Sequence, residues 1–416
     1  MVVILTMIIH RPEELKKLEE GKKWILVYGR RKTGKTFLVE NNMKYDLYFF
    51  VNRDRTIISK TEAKQVSYDA FLEVLKLSLE SGKTIVIDEF HRLGDSFFDF
   101  LHSSKKTGRL ILLTSTLYLA KKLLSSNSPL LGLFKEIRIY LISLSESLKA
   151  LENIDIGKRE RLELAIILRE PIAIEYFDEK KNARETLAEI LISSINTRPA
   201  LTGEIFAEED RNMSAAYKAI IGAVASGKMV SGEISSHLFS KRLIKKDDPS
   251  IIQQYLENLL KIGILRKLEI FGKKRFVYKI ESPLVRLFYY ADEKYGISDR
   301  KLSEEEATRI IDEIMPKIVE DNVREFLSES LGLKETVVEA ADYEIDGYLL
   351  KFKQPSVLLE VKWKQKVSSK EVEHTEKNLN ILKAERKILF VQDSRSVHSE
   401  TLEVMDVSDL ASLKVK

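Results

Sequence analysis

Apolar residues fall into three patterns along the chain, and each pattern predicts a different element. Short unbroken apolar runs stand at WILV (24–27), TIVI (84–87), RLILLTST (109–116) and KILFVQD (387–393). Runs of this length bounded by polar residues predict strands buried on both faces, as in α/β sheets. Spacings of three and four residues predict helices through Leu162, Ile166 and Leu168, and through Leu187, Ile190 and Leu191. Alternation marks the third pattern: ILRKLEIF and RFVYKI flank the turn GKK and predict a β-hairpin. The N-terminal MVVILTMII is an apolar run of nine, too short to span a bilayer and without a small-residue cleavage site. It reads as a buried strand, and the protein as cytoplasmic with no membrane partner.

A chain of 416 residues exceeds one compact core, so about two to four domains are expected. The patterns divide it into an α/β unit over 1–145, a helical lid or connector over 146–212, a third unit over 213–292, and a helix-led α/β unit over 293–416. In the third unit AAYKAIIGAVASGK predicts one helix and GEISSHLF a second. Asp248 before Pro249 is an N-cap followed by proline at the first helical position. Ile251, Ile252, Tyr255, Leu256, Leu259 and Leu260 then give the third helix its buried face. Three helices and a hairpin make a winged helix-turn-helix, with Ser250, Gln253, Gln254 and Asn258 on the open face of the third helix and Lys273, Lys274 and Arg275 at the wing tip. The fold commonly binds DNA, although a solvated helix face or a protein dock has the same pattern.

Charge narrows the function only slightly. The net charge is +4, with 32% charged and 44% apolar residues, which mildly favours an anionic partner. Cysteine is absent, removing disulfides, thiolate catalysis and cysteine-held zinc, and six histidines argue against histidine metal clusters.

Candidate chemistry begins at YGRRKTGKTF, residues 28–37. The pattern GxxxxGKT after a strand fits an anion cradle, in which the amides of a tight turn and a helix N-terminus face phosphate oxygens. Gly29, Arg30, Arg31, Lys32, Thr33, Gly34, Lys35, Thr36 and Phe37 are the candidate nucleotide contacts. The strand TIVI ends in Asp88 and Glu89, as a Walker B strand does. Lys35 would bridge the outer phosphates, Thr36 and Asp88 would hold Mg2+, and Glu89 would polarise the attacking water. Thr114 and Ser115, at the end of a third strand, are placed to sense the outer phosphate. No guanine signature of the NKxD type is present, so ATP is expected rather than GTP.

These pieces resemble the archaeal ATPase family of the AAA+/STAND group: IIHRPEELKKLEE, GRRKTGKT, VIDEF, the TST strand end, and SPLLGLF at 128–134 follow in that family's order. The resemblance implies an AAA+-like P-loop NTPase domain that binds and hydrolyses ATP with Mg2+ and releases ADP. Where the family carries an arginine after the glycine of its PLYGR-like motif, this chain has Leu133 after Gly132, leaving Arg138 and Arg109 as substitutes. The segment YKIESPLVRLFYY resembles the junction that introduces the same family's C-terminal DUF234-type region.

A second constellation lies in EIDGYLLKFKQPSVLLEVKWK. Asp346 and Glu360 fall on adjacent predicted strands, and Lys362 shares a strand face with Glu360. Two carboxylates and a lysine suit phosphodiester cleavage, with Mg2+ or Mn2+ on the acids and the lysine orienting water. The arrangement resembles the PD-(D/E)xK nuclease superfamily, a restriction-endonuclease-like α/β fold, without the motif's proline. By that resemblance Glu320, on the preceding helix, would complete the metal set. The expected protein is a Mg-dependent ATPase whose nucleotide state controls a winged helix and a nuclease-like module on nucleic acid, DNA in preference to RNA, with oligomer formation open. The alternative is a STAND-type signalling switch with a protein partner and a catalytically silent nuclease fold.

Overall fold

The computed structural model describes residues 7–20, 24–117, 132–208, 214–338 and 345–413. Helix α1 (Pro12–Glu19) precedes strand β1 (Trp24–Tyr28), and a tight loop leads from β1 into α2 (Lys35–Asn42). A strand β2 (Leu47–Val51) turns back through β3 (Ile57–Ser59) and β4 (Lys64–Val66), and α3 (Tyr68–Glu80), β5 (Thr84–Asp88), α4 (Asp95–Ser103), β6 (Arg109–Thr114) and β7 (Phe134–Arg138) follow. The sheet order is β4-β3-β2-β5-β6-β1-β7, parallel from β2 to β7. Alternate residues of the central strands feed two cores. Leu26, Ile85, Ile87, Leu110 and Leu112 pack with Phe71 and Phe97 on one face. Ile25, Val27, Val86, Ile111 and Leu113 pack with Leu38 and Val39 on the other. Burial on both faces is why these runs lack polar alternation.

The buried strand expected at the N-terminus is not formed over Met7–Ile9, where the chain has no regular structure and Ile8 is 56% exposed. The place beside β1 is already filled, since β1 pairs with β6 on one side and β7 on the other. Residues 1–6, and 128–131 of the SPLLGLF segment, lie outside the described residues.

Helices α5 (Leu144–Ala150), α6 (Lys158–Ile167), α7 (Pro171–Ile174) and α8 (Ala183–Glu208) follow the first sheet, then α9 (Ala215–Ala225), α10 (Ser231–Ser240) and α11 (Pro249–Lys261). Asp248 caps α11 by accepting from the Ser250 amide at 2.9 Å, and Ile252, Leu256 and Leu259 form its buried face. One expectation fails here: Asn258 is buried rather than on the open face, and its amide donates to the Tyr217 hydroxyl at 2.7 Å. A polar side chain satisfied internally can share a core face.

The hairpin of β8 (Leu265–Ile270) and β9 (Phe276–Ile280) comes next, then α12 (Pro283–Tyr295), α13 (Glu304–Leu331), β10 (Lys334–Val337), β11 (Gly347–Lys351), β12 (Gln354–Lys362), α14 (Ser369–Asn380), β13 (Arg386–Val391), β14 (Glu403–Met405) and α15 (Val407–Ser412). These strands form one sheet in the order β14-β13-β12-β11-β10-β8-β9. The hairpin expected as the wing of the 213–292 unit is also the rim of the C-terminal sheet: β8 pairs in parallel with β10, and the Phe271 amide donates to the Val337 carbonyl at 2.8 Å. A single apolar core runs from α5 through α13 to β12 and β13. Among the described residues no helix is long and apolar enough to cross a membrane.

Candidate functional site

Two glycines shape the loop between β1 and α2. A Cβ on Gly29 would collide with the Ile139 carbonyl, and Gly34 has φ +83°, a conformation that side chains disfavour. Lys35 opens α2 and turns back over the loop, its Nζ donating to the carbonyls of Gly29 at 3.0 Å and Arg30 at 2.9 Å. Burial lowers its pKa to about 8. The Thr36 hydroxyl donates to Asp88 Oδ2 at 2.8 Å, and Tyr48, from β2, donates to the same oxygen at 2.9 Å. Burial, followed by the neighbouring Glu89, pushes the Asp88 carboxyl up. A hydroxyl and a carboxylate side by side at a helix N-terminus are hard oxygen donors of the kind Mg2+ takes.

Glu89 follows β5 with φ 55°, a conformation uncommon outside glycine. Its Oε1 accepts from the Ser115 hydroxyl at 2.7 Å, while Oε2 lies 3.3 Å from His91 Nδ1 and 3.9 Å from Arg92 Nη2. A cavity of about 760 Å³ opens over these groups. Arg31, Lys32, Gly34, Lys35, Thr36 and Phe37 line it with Glu89 and Ser115, and Arg53 and Arg92 stand at its far side. A second, mainly apolar cavity of about 350 Å³ shares Lys32, Gly34 and Phe37 with the first, and is walled by Ile9, Leu38, Ile142, Pro171 and Ile172.

The expected contacts separate on this geometry. Ser115 faces the cavity, but Thr114 is fully buried and bonds to His91 at 3.0 Å and Thr116 at 2.9 Å. Thr33 turns inward, its hydroxyl donating to the Arg30 carbonyl at 2.8 Å and its own carbonyl accepting from Arg11 at 2.9 Å. Arg30 also points away: its guanidinium forms a buried ion pair with Glu170, between α6 and α7. Neither substitute arginine lines the cavity. Arg109 lies at the N-terminal end of β6 and donates to the Leu18 carbonyl, and Arg138 covers the Tyr140 ring at 4.4 Å. The sequence reading missed Tyr48, His91, Arg92, Arg53 and Glu170. His91 and Arg92 follow the acidic pair after a single residue, Phe90, so proximity in sequence was an available signal for them; Tyr48 and Glu170 had none.

The C-terminal acids are arranged differently. Asp346 lies just before β11, its Oδ2 accepting from the Val361 amide at 2.8 Å and its carbonyl from Arg324 at 2.6 Å. Burial raises its pKa to about 8, reinforced by the charges of Glu320 and Glu360. Glu360 is paired with Lys362, and Glu320 with Lys317 at 2.7 Å and Arg324 at 3.5 Å. The three acids are thus near enough to repel, yet among the described residues no three histidine, aspartate or glutamate side chains form a group that could hold a metal ion. The metal set expected of Glu320, Asp346 and Glu360 does not form such a group: Glu320 and Glu360 face lysine or arginine, and Asp346 accepts from an amide.

Residues 21–148 match the family described as AAA domain, which covers the first sheet and the loop. No curated protein matches the chain. Among solved structures, the chain is similar to the ORC2 protein of Aeropyrum pernix, at 11% identity and a TM-score of 0.35 over 73% of this chain and 89% of that one. It is also similar to the ORC1 protein of Aeropyrum pernix in complex with DNA, at 16% identity and a TM-score of 0.30 over 71% and 95%. A third is a signal transduction ATPase with a tetratricopeptide repeat sensor from Pyrococcus horikoshii, at 14% identity and a TM-score of 0.32 over 79% and 52%. At these identities and scores the likenesses carry no statement about activity.

Proposed function

We propose that the chain binds and hydrolyses ATP at residues 29–36 and uses the nucleotide state to control a C-terminal module that contacts nucleic acid, with DNA preferred. The observation that carries the first part is the pair of adjoining cavities. The polar one spans Lys35, Thr36 and Glu89 and suits a triphosphate, and the apolar one behind Gly34 and Phe37 suits a purine base. Loop amides and Lys35 bind the phosphates, and Thr36 and Asp88 hold Mg2+. The cation would neutralise charge developing on the transferred phosphoryl group. Glu89, oriented by Ser115, takes the proton of the attacking water. Arg92 and Arg53 are the cationic side chains placed to face the outer phosphate. Isothermal calorimetry with ATP and a phosphate-release assay on wild type and Lys35→Ala test this reading. Full turnover in the variant would remove it.

For the C-terminal part, Asp346, Glu360, Lys362 and Glu320 remain the proposed centre, with the rim hairpin offering Lys273, Lys274 and Arg275 to phosphates. In the present arrangement Glu360 and Glu320 face cationic side chains and Asp346 accepts from an amide. That observation supports a second reading, a nucleotide-driven switch for a protein partner with a silent centre. DNA affinity that falls steeply with salt, together with Mn2+ binding lost in Asp346→Ala, would favour the first reading; absence of both would favour the second.

A further inference from the structure

Arg169 and Glu170 are consecutive, buried, and engaged in opposite directions. Glu170 is 0% exposed; one oxygen accepts from Arg30 of the phosphate loop, and the other has no hydrogen-bond partner. Arg169 donates from Nε to the Ile142 carbonyl at 3.1 Å, from Nη1 to the Asn322 side chain, and from Nη2 to Glu325 at 2.7 Å. Asn322 and Glu325 belong to α13, which also carries Glu320 and Arg324. Arg324, 1% exposed, reaches from there to the Asp346 carbonyl at 2.6 Å and to Glu335 at 2.7 Å. Three buried side-chain steps therefore connect the loop to the C-terminal acids: Arg30 to Glu170, Arg169 to α13, and Arg324 to Asp346.

The same segment touches the base side of the site. Pro171 follows Glu170, lies 3.7 Å from where a Cβ on Gly34 would stand, and lines the apolar cavity with Ile172.

We infer that the Arg169–Glu170–Pro171 joint transmits occupancy of the phosphate loop to α13, and through it sets the position of Asp346 and Glu320. The inference rests on the reading of residues 29–36 as an ATP site. Without a ligand, Lys35 spends its hydrogen bonds on the carbonyls of Gly29 and Arg30. An arriving triphosphate takes Lys35 as its counterion and releases those carbonyls, so the backbone at Arg30 relaxes. Its guanidinium cannot let go of Glu170 cheaply, because a buried charge left alone is strongly disfavoured. The displacement is therefore passed on to Glu170 and its neighbour Arg169 instead of being absorbed at the loop. Packed side chains and ion pairs with discrete arrangements carry such coupling between distant sites. Linkage makes it reciprocal: whatever binds at the C-terminal acids alters nucleotide affinity by the same factor.

Hydrogen exchange of the full chain, with and without a non-hydrolysable ATP analogue, reads the joint directly, and calorimetry on the same samples reports binding. Amides of 320–331 and 346–351 should change their exchange rate by about fivefold or more on binding, a coupling at the lower end of the usual range. Arg169→Lys keeps the charge but loses the fork, and should retain analogue affinity while abolishing that change. Binding without any change at α13 and β11, or an undiminished change in Arg169→Lys, overturns the joint while leaving the ATP site standing. No heat from the analogue in wild type overturns both.

Discussion

The phosphate loop carries two carboxylates and a lysine, and the C-terminal centre three carboxylates and a lysine, yet the two satisfy their charges differently. At the first, Asp88 and Glu89 accept from the neutral hydroxyls of Thr36, Tyr48 and Ser115, and Lys35 donates to neutral carbonyls. At the second, Glu360 faces Lys362, and Glu320 faces Lys317 and Arg324. Hydroxyls and carbonyls orient the charges of Asp88 and Lys35 without cancelling them, whereas Glu89 also stands 3.9 Å from the Arg92 guanidinium. Ion pairing cancels charge locally, and an incoming ligand must first break a bond. In the acidic centre Glu360 and Glu320 are latched by cations, whereas Asp346 accepts from the Val361 amide and feels the charge of both neighbours.

Substitutions that break this contrast should differ in size. The largest effect belongs to Lys35→Ala, which should lower ATP turnover by about 10³-fold or more, measured as phosphate release, because the ammonium that packs on the loop carbonyls is lost at the outer phosphates. Glu89→Gln keeps the shape and the Ser115 contact, so it should bind ATP within a few-fold of wild type and turn it over about 10²-fold more slowly.

A third test concerns the latch. The folded pKa of Asp346, about 8, lies above its ordinary 3.8. The folded chain thus holds a proton that the unfolded chain releases between these values. That contribution to stability is full below about pH 4 and is lost as pH rises through about 8. Asp346→Asn mimics the protonated acid, so it should melt a few degrees above wild type at pH 8.5 and approach it as pH falls below about 4. Equal melting curves at pH 8.5 would show that the centre carries no excess negative charge.

The smallest effect is protonic. With a pKa of about 8 against an ordinary 10.5, Lys35 is partly neutral at pH 8.5 and must recharge to meet a phosphate. ATP binding at that pH should take up a fraction of a proton, seen by calorimetry in buffers of different ionisation enthalpy. At pH 6.5 the uptake should vanish.

The contrast also explains what could be read from the chain itself. The β1–loop–α2 unit and the acidic pair after β5 are contiguous motifs, so a single stretch of sequence specifies both element and chemistry. The cap at Asp248 and the apolar face of α11 were legible for the same reason. What escaped depends on partners far away in sequence. Arg30 looked like a phosphate ligand, but its partner Glu170 stands 140 residues later. Asn258 looked solvated, but Tyr217 satisfies it from another helix. The C-terminal acids were found as residue types on strands, while the cations that occupy them come from α13 and from Lys362 itself. The hairpin's alternation was clear, but alternation cannot say which sheet a strand edge will join.

That last point gives the molecule a ruler. From β9 to β12 there are four strand-to-strand steps, or about 19 Å at the usual spacing. Lys273, Lys274 and Arg275 hang at one end of this span and Glu360 at the other. Because each step is a hydrogen-bonded strand pair, the sheet sets the lateral distance between the basic tip and Glu360.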